Sequence, residues 1–125
     1  MKLLLIDDEE DILKIGKLSL EMVGKFRVTT AASATLGIQA ATQDPPDVIL
    51  MDMMMPGMDG LTALSEFKKI PGLSAIPVVF MTAKAQRSDV ARYVALGATG
   101  VLPKPFNPMT LAAEVRALLE AAKRA

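Results

Sequence analysis

The sequence predicts an α/β fold: a five-stranded parallel sheet with helices on both faces. Three observations carry that prediction. Short apolar runs recur at residues 3–6, 48–51 and 78–81. The first two end in acids, Asp7-Asp8 and Asp52, with no polar alternation inside them. Unbroken runs of this length mark strands covered on both faces. Between the runs lie helix-length stretches with capping residues and Pro/Gly stops, and strand alternating with helix five times implies parallel strands joined by crossover helices.

The elements follow in order. After the strand at 3–6, the acids Glu9 to Asp11 suit the positive end of a helix dipole, so the first helix begins there and stops near Gly24. Residues 27–31 form a weaker strand. Ser33 caps a second helix that runs to about Thr42, ahead of Pro45 and Pro46. The strand at 48–51 presents Asp52 to a loop containing Pro56, Gly57 and Gly60, with Met53, Met54, Met55 and Met58 expected to pack around it. A third helix occupies 61–69 and is closed by Pro71-Gly72. After the strand at 78–81, Ser88 caps a fourth helix ending at Gly97, and 100–102 make a short last strand. Asn107 followed by Pro108 starts the last helix. That helix has Leu111, Val115, Leu118 and Leu119 on one face, and Arg116, Glu120, Lys123 and Arg124 mostly off it.

Composition narrows the chemistry. The 125 residues suit one domain, 1–125, and half of them are apolar, which excludes disorder. Fourteen Lys and Arg balance fourteen Asp and Glu, so no basic field exists for direct nucleic acid binding or for an anionic membrane surface. Cysteine is absent, in keeping with a reducing, cytoplasmic setting. Histidine is absent too, which removes typical zinc sites, Ser-His and Cys-His nucleophiles, and imidazole acid-base work. The first residues lack the pattern of a signal peptide, and no apolar run has the length of a membrane span. Chemistry must rest on carboxylates, Lys, Thr or Ser, and a hard cation.

In a parallel sheet the ligand site lies outside the carboxyl ends of the strands, where Asp7, Asp8, Asp52, Thr82 and Lys104 all fall. Two unit charges 4 Å apart repel by about 4 kcal/mol at an effective dielectric near 20. Three clustered carboxylates therefore require compensation. Mg²⁺ supplies it through carboxylate oxygens, a backbone carbonyl and retained waters, and Lys104 adds a fixed positive charge. The same two cations would neutralise the oxygens of an incoming phosphoryl group, with Asp52 as nucleophile.

These residues resemble those of response regulator receiver domains of two-component systems, and among them the chemotaxis-type single-domain members. The resemblance spans the chain. It rests on Asp7-Asp8, on Asp52 through Met55-Pro56 and Met58-Asp59-Gly60, on Thr82-Ala83, on Gly97-Ala98, and on Lys104-Pro105-Phe106 in that order and spacing. It implies a flavodoxin-like fold with strand order 2-1-3-4-5. It also implies that Asp52 is the phosphoacceptor for a histidine kinase or histidine phosphotransfer protein. Asp7 or Asp8 and Asp52, with the backbone carbonyl of Met54, would hold Mg²⁺; Lys104 would contact the phosphoryl oxygens, and the Thr82 hydroxyl would swing to meet one. The Lys104-Pro105 bond would be cis. The chain would act as a switch and not as a turnover enzyme, its downstream target a protein bound by the fourth helix, last strand and last helix.

Departures from the family pattern are specific. Val101 stands where receivers often carry an aromatic, three positions before the lysine, and Tyr93 is the residue on the fourth helix that can substitute. Met54 and Lys84 occupy the two positions thought to tune hydrolysis; Met54 can neither orient nor deprotonate a water, and Lys84 can bond a phosphoryl group or a kinase surface. Met54 also argues against a Mg²⁺-dependent phosphohydrolase with an aspartyl-phosphate intermediate, which typically places a second Asp there. The five acids at 7–11 argue against a flavodoxin-like cofactor binder with a phosphate loop after the first strand. A receiver cut from a larger regulator is the remaining alternative.

Overall fold

The structure is a computed structural model that describes residues 1–83 and 85–124, and of Arg124 the backbone alone. Lys84 therefore lies outside the described residues. The element order is β1 (Lys2–Ile6), α1 (Glu10–Met22), β2 (Arg27–Ala31), α2 (Ala34–Gln43), β3 (Val48–Asp52), α3 (Gly60–Lys69), β4 (Val78–Thr82), α4 (Arg87–Ala95), β5 (Gly100–Pro103) and α5 (Leu111–Arg124). All strand pairs are parallel, and the strand order is β2-β1-β3-β4-β5. This is the flavodoxin-like order expected above.

The apolar runs serve two cores because successive strand residues point to opposite faces. Leu4, Ile6, Ile49, Met51, Val78 and Phe80 pack beneath α2, α3 and α4. Leu3, Leu5, Val48, Leu50, Val79 and Met81 pack beneath α1 and α5. On α5 the expected face holds: Leu111, Val115 and Leu119 are buried and Leu118 is partly so. Arg116 lies exposed, off that face as expected, and still makes tertiary contacts. Its guanidinium donates to the Gly24 carbonyl and lies 4.2 Å from the Phe26 ring centroid, joining α5 to the end of α1. The Ser19 hydroxyl makes a second link by donating to the Pro108 carbonyl.

Helix ends differ from expectation in three places. The left-handed residue after α1 is Lys25, at φ 60°, not Gly24. Gly24 is there for space, since a Cβ would sit 2.5 Å from the Cβ of Ala112. Ser88 does not cap α4; Gln86 precedes the helix in extended conformation, its carbonyl accepts from the Val90 amide, and Ser88 lies one residue inside. At the other end Gly97 does take a positive φ of 114°, as a helix stop requires. Asn107 accepts from the Met109 amide at 2.9 Å, but residues 108–110 form a turn and the helix proper begins at Leu111. Ser33 caps α2 as expected, its hydroxyl accepting from the Leu36 amide at 3.1 Å.

Register brings the strand ends level. Ile6 pairs with Met51, Asp52 with Met81, and Thr82 with Pro103. The residues at or just past these ends are Asp7, Asp52, Thr82 and Lys104, and the Lys104-Pro105 bond is cis.

Candidate functional site

Asp7 follows β1 and is wholly buried, because the turn into α1 folds over it: its Oδ1 accepts from the Glu9 amide at 2.9 Å. Asp52 closes β3, is also buried, and accepts from the Met54 amide at 3.3 Å. Asp8 is exposed at the rim. Carboxylate oxygens of Asp7, Asp8 and Asp52 all lie within 4.8 Å of one another.

Lys104 is the cation of the cluster. Its Nζ is 2.8 Å from Asp7 Oδ2, 3.3 Å from Asp52 Oδ2 and 3.8 Å from Glu9 Oε1. Buried Asp7 Oδ2 has this ammonium as its neighbouring charge and no other partner among the described residues. Burial works against the lysine charge, yet the two Asp carboxylates outweigh it and hold the ammonium above the usual lysine range. For Asp52 the balance falls the other way. Burial first, and the Asp7 charge second, push its carboxyl above the usual carboxylate range, although Lys104 and the Met54 amide pull it down.

Asp52 and Lys104 open onto a cavity of about 330 Å³ lined also by Thr82, Glu9, Met54 and Tyr93, among others. Thr82 is buried at its wall. A larger cavity of about 420 Å³, with Met1, Asp47, Pro77 and Thr99 in its lining, holds no acid cluster among the described residues. Chemistry therefore points to the smaller one. The acid cluster that shares Asp52 with this cavity fits a hard divalent cation: all oxygen, net negative, with a buried Asp7 oxygen that has only the lysine charge beside it and exposed Asp8 offering an approach from solvent.

Every sequence-predicted side chain is thus at this strand end: Asp7, Asp8, Asp52 and Lys104 in one cluster, and Thr82 on the same cavity. Two contributions exceeded the sequence reading. Glu9 was read only as a helix-start acid, yet it approaches Lys104; a helix-start pattern carries no signal for such a contact. Tyr93 does face the cavity, which its sequence position alone left open. Met54 departs from the packing role expected of the loop methionines. Met53 and Met55 are buried, while Met54 is 70% exposed. Asp59 behaves as turn chemistry: its carboxylate accepts from the Thr62 amide at 2.8 Å and caps α3, and that bond holds its carboxyl below the usual range.

Comparison with known proteins gives a consistent picture. Residues 3–116 match the family model described as response regulator receiver domain. Among curated proteins, the chain is 36% identical over 124 residues to a protein named probable transcriptional regulator ycf27 of Guillardia theta, covering 99% of this chain and 47% of that one. It is 38% identical over 119 residues to response regulator PleD of Caulobacter vibrioides, covering 94% of this chain and 26% of that one. The chain thus spans half or less of the length of these relatives. A solved structure of the Vibrio cholerae chemotaxis protein CheY4 superposes with a TM-score of 0.86 at 30% identity, covering 94% of this chain and 97% of that one.

Proposed function

The chain belongs to the response regulator receiver domain family, and on that premise we propose that it is a phosphoacceptor switch in which Asp52 receives a phosphoryl group from the phosphohistidine of a histidine kinase or histidine phosphotransfer protein. The observation that carries this reading is the convergence of Lys104 Nζ on both Asp7 and Asp52 at the carboxyl edge of the sheet. An Asp52 oxygen attacks phosphorus, the P–N bond to the donor histidine breaks, and its electron pair stays on the imidazole nitrogen. The product is an acyl phosphate on Asp52. Lys104 meets the phosphoryl oxygens as a point charge that stays protonated at neutral pH, and the Thr82 hydroxyl donates to one of them.

Asp7, Asp8 and Asp52, with the Met54 backbone carbonyl, are the residues that would hold Mg²⁺. When bound, the ion neutralises phosphoryl oxygens that the acids would otherwise repel. The residue two positions past Asp52 is a thioether at the cavity rim, not an acid, so the phosphohydrolase reading lacks its acid/base group. No helix among the described residues is long and apolar enough to cross a membrane. Output is then protein binding through α4, β5 and α5, in the cytoplasm, with no direct nucleic acid contact from a chain of balanced charge.

Two experiments bear on this reading. Incubation with acetyl phosphate and Mg²⁺ should yield a hydroxylamine-sensitive adduct that both chelation and Asp52→Asn abolish. Undiminished labelling of Asp52→Asn would refute it. For the metal, Asp8→Ala should weaken Mg²⁺ binding by at least about tenfold, or about 1.4 kcal/mol, because one carboxylate ligand is lost. Titration calorimetry reads that directly, and an unchanged affinity would leave Asp8 only a helix-start acid.

A further inference from the structure

Tyr93 is the buried residue of α4. The other side chains of that helix are exposed or half-buried, so this ring is its one buried contact. It meets Phe80 of β4 edge-on, with centroids 6.3 Å apart and planes at 68°. The Arg92 guanidinium lies 6.0 Å from its centroid. Tyr93 also lines the cavity of Asp52, Thr82 and Lys104. The same side chain is therefore the anchor of a helix and a wall of the acid site. Val101, paired with Phe80 across the sheet, is a small half-buried member of the same cluster and offers neither ring nor donor.

We propose that Tyr93 couples occupancy of the Asp52 site to the position of α4. The inference rests on the phosphoacceptor reading and adds the residue through which the signal leaves the site. A phosphoryl group brings new volume and three anionic oxygens into a cavity of about 330 Å³. Tyrosine is rigid, with two side-chain torsions, so a ring packed against Phe80 cannot absorb that change within its own side chain. Its phenol O–H is a donor on a wall where anionic oxygens arrive. The helix moves with the ring, and no side-chain cap bond from Gln86 holds its start in place.

Tyr93 is the only tyrosine and tryptophan is absent, so 3-fluorotyrosine places one fluorine label at this position. Titration with beryllofluoride and Mg²⁺ should move that resonance in step with the appearance of protein-bound fluoride. In parallel, amide hydrogen exchange across residues 86–96 should change by about tenfold, equivalent to about 1.4 kcal/mol, at saturation. Tyr93→Leu should lose that response at the same bound-fluoride level, and Tyr93→Phe should keep most of it. A label that stays still while fluoride is bound overturns the coupling, as does a full response in Tyr93→Leu. Failure to bind beryllofluoride at all overturns the phosphoacceptor reading and the coupling with it.

Discussion

Lys104→Ala should lower the melting temperature in chelator by roughly 10 °C, and Mg²⁺ should return more stability to this variant than to the native chain. The ammonium sits between two buried carboxylates, 2.8 Å from one and 3.3 Å from the other. Its removal leaves both anions uncompensated, and buried Asp7 Oδ2 has no other partner among the described residues to replace it. Breaking one side of a buried ion pair costs about 3 kcal/mol or more. For a chain of this length each kcal/mol is worth about 3–5 °C. A divalent cation can replace the missing charge, so the two proteins should draw closer in Mg²⁺. Equal melting temperatures in chelator would mean that Lys104 is a solvated lysine that merely lies near the acids.

The reverse change in stability should follow from Asp52→Asn. In chelator at neutral pH this variant should melt above the native chain by about 3–5 °C, the equivalent of about 1 kcal/mol. The sign follows from the raised carboxyl: burial and the Asp7 charge make folded Asp52 hold its proton to higher pH than the unfolded chain does. Through that window the folded state binds more protons, so native stability falls as pH rises from the ordinary carboxylate range through the raised value. Above the window the loss is complete. Asparagine carries no charge to bury, so its advantage should be present at neutral pH and shrink as the solution is acidified through the same window. Mg²⁺ should reverse the order, because the native chain gains a ligand and the variant has lost one. Thermal melts from pH 3 to 8, with and without Mg²⁺, read all of this. A destabilised Asp52→Asn in chelator would mean that Lys104 attraction outweighs burial, contrary to the balance described.

The sheet was legible because three of its strands, β1, β3 and β4, carry apolar runs without alternation and the first two of these runs end in acids, a pattern that buried parallel strands produce and few other elements share. The site followed from the same fact, since strand ends in a parallel sheet are brought level by register. Legibility failed where packing decides instead of periodicity. Helix α4 has one buried residue, so no apolar stripe announces which way it faces, and neither its start at Arg87 nor the orientation of Tyr93 could be read. Gly24 resembles a helix stop by type, yet the tight approach of Ala112 explains it, and Lys25 takes the left-handed turn. Glu9 belongs to a run of acids that suits a helix start, and only the fold places it near Lys104. Exposed Met54 was misread because a methionine cluster around a loop resembles packing until the loop's path is known.

Borohydride reduction of the protein after acetyl phosphate treatment would locate the acyl phosphate, because it converts the modified aspartate to homoserine, which tandem mass spectrometry places in the chain. The convergence of Lys104, Asp7 and Asp52 predicts homoserine at position 52, formed with Mg²⁺ and absent in chelator, with Asp7 and Asp8 unmodified. Homoserine at Asp7 or Asp8, or the same yield at position 52 without metal, would contradict the assignment of nucleophile and ligands made here.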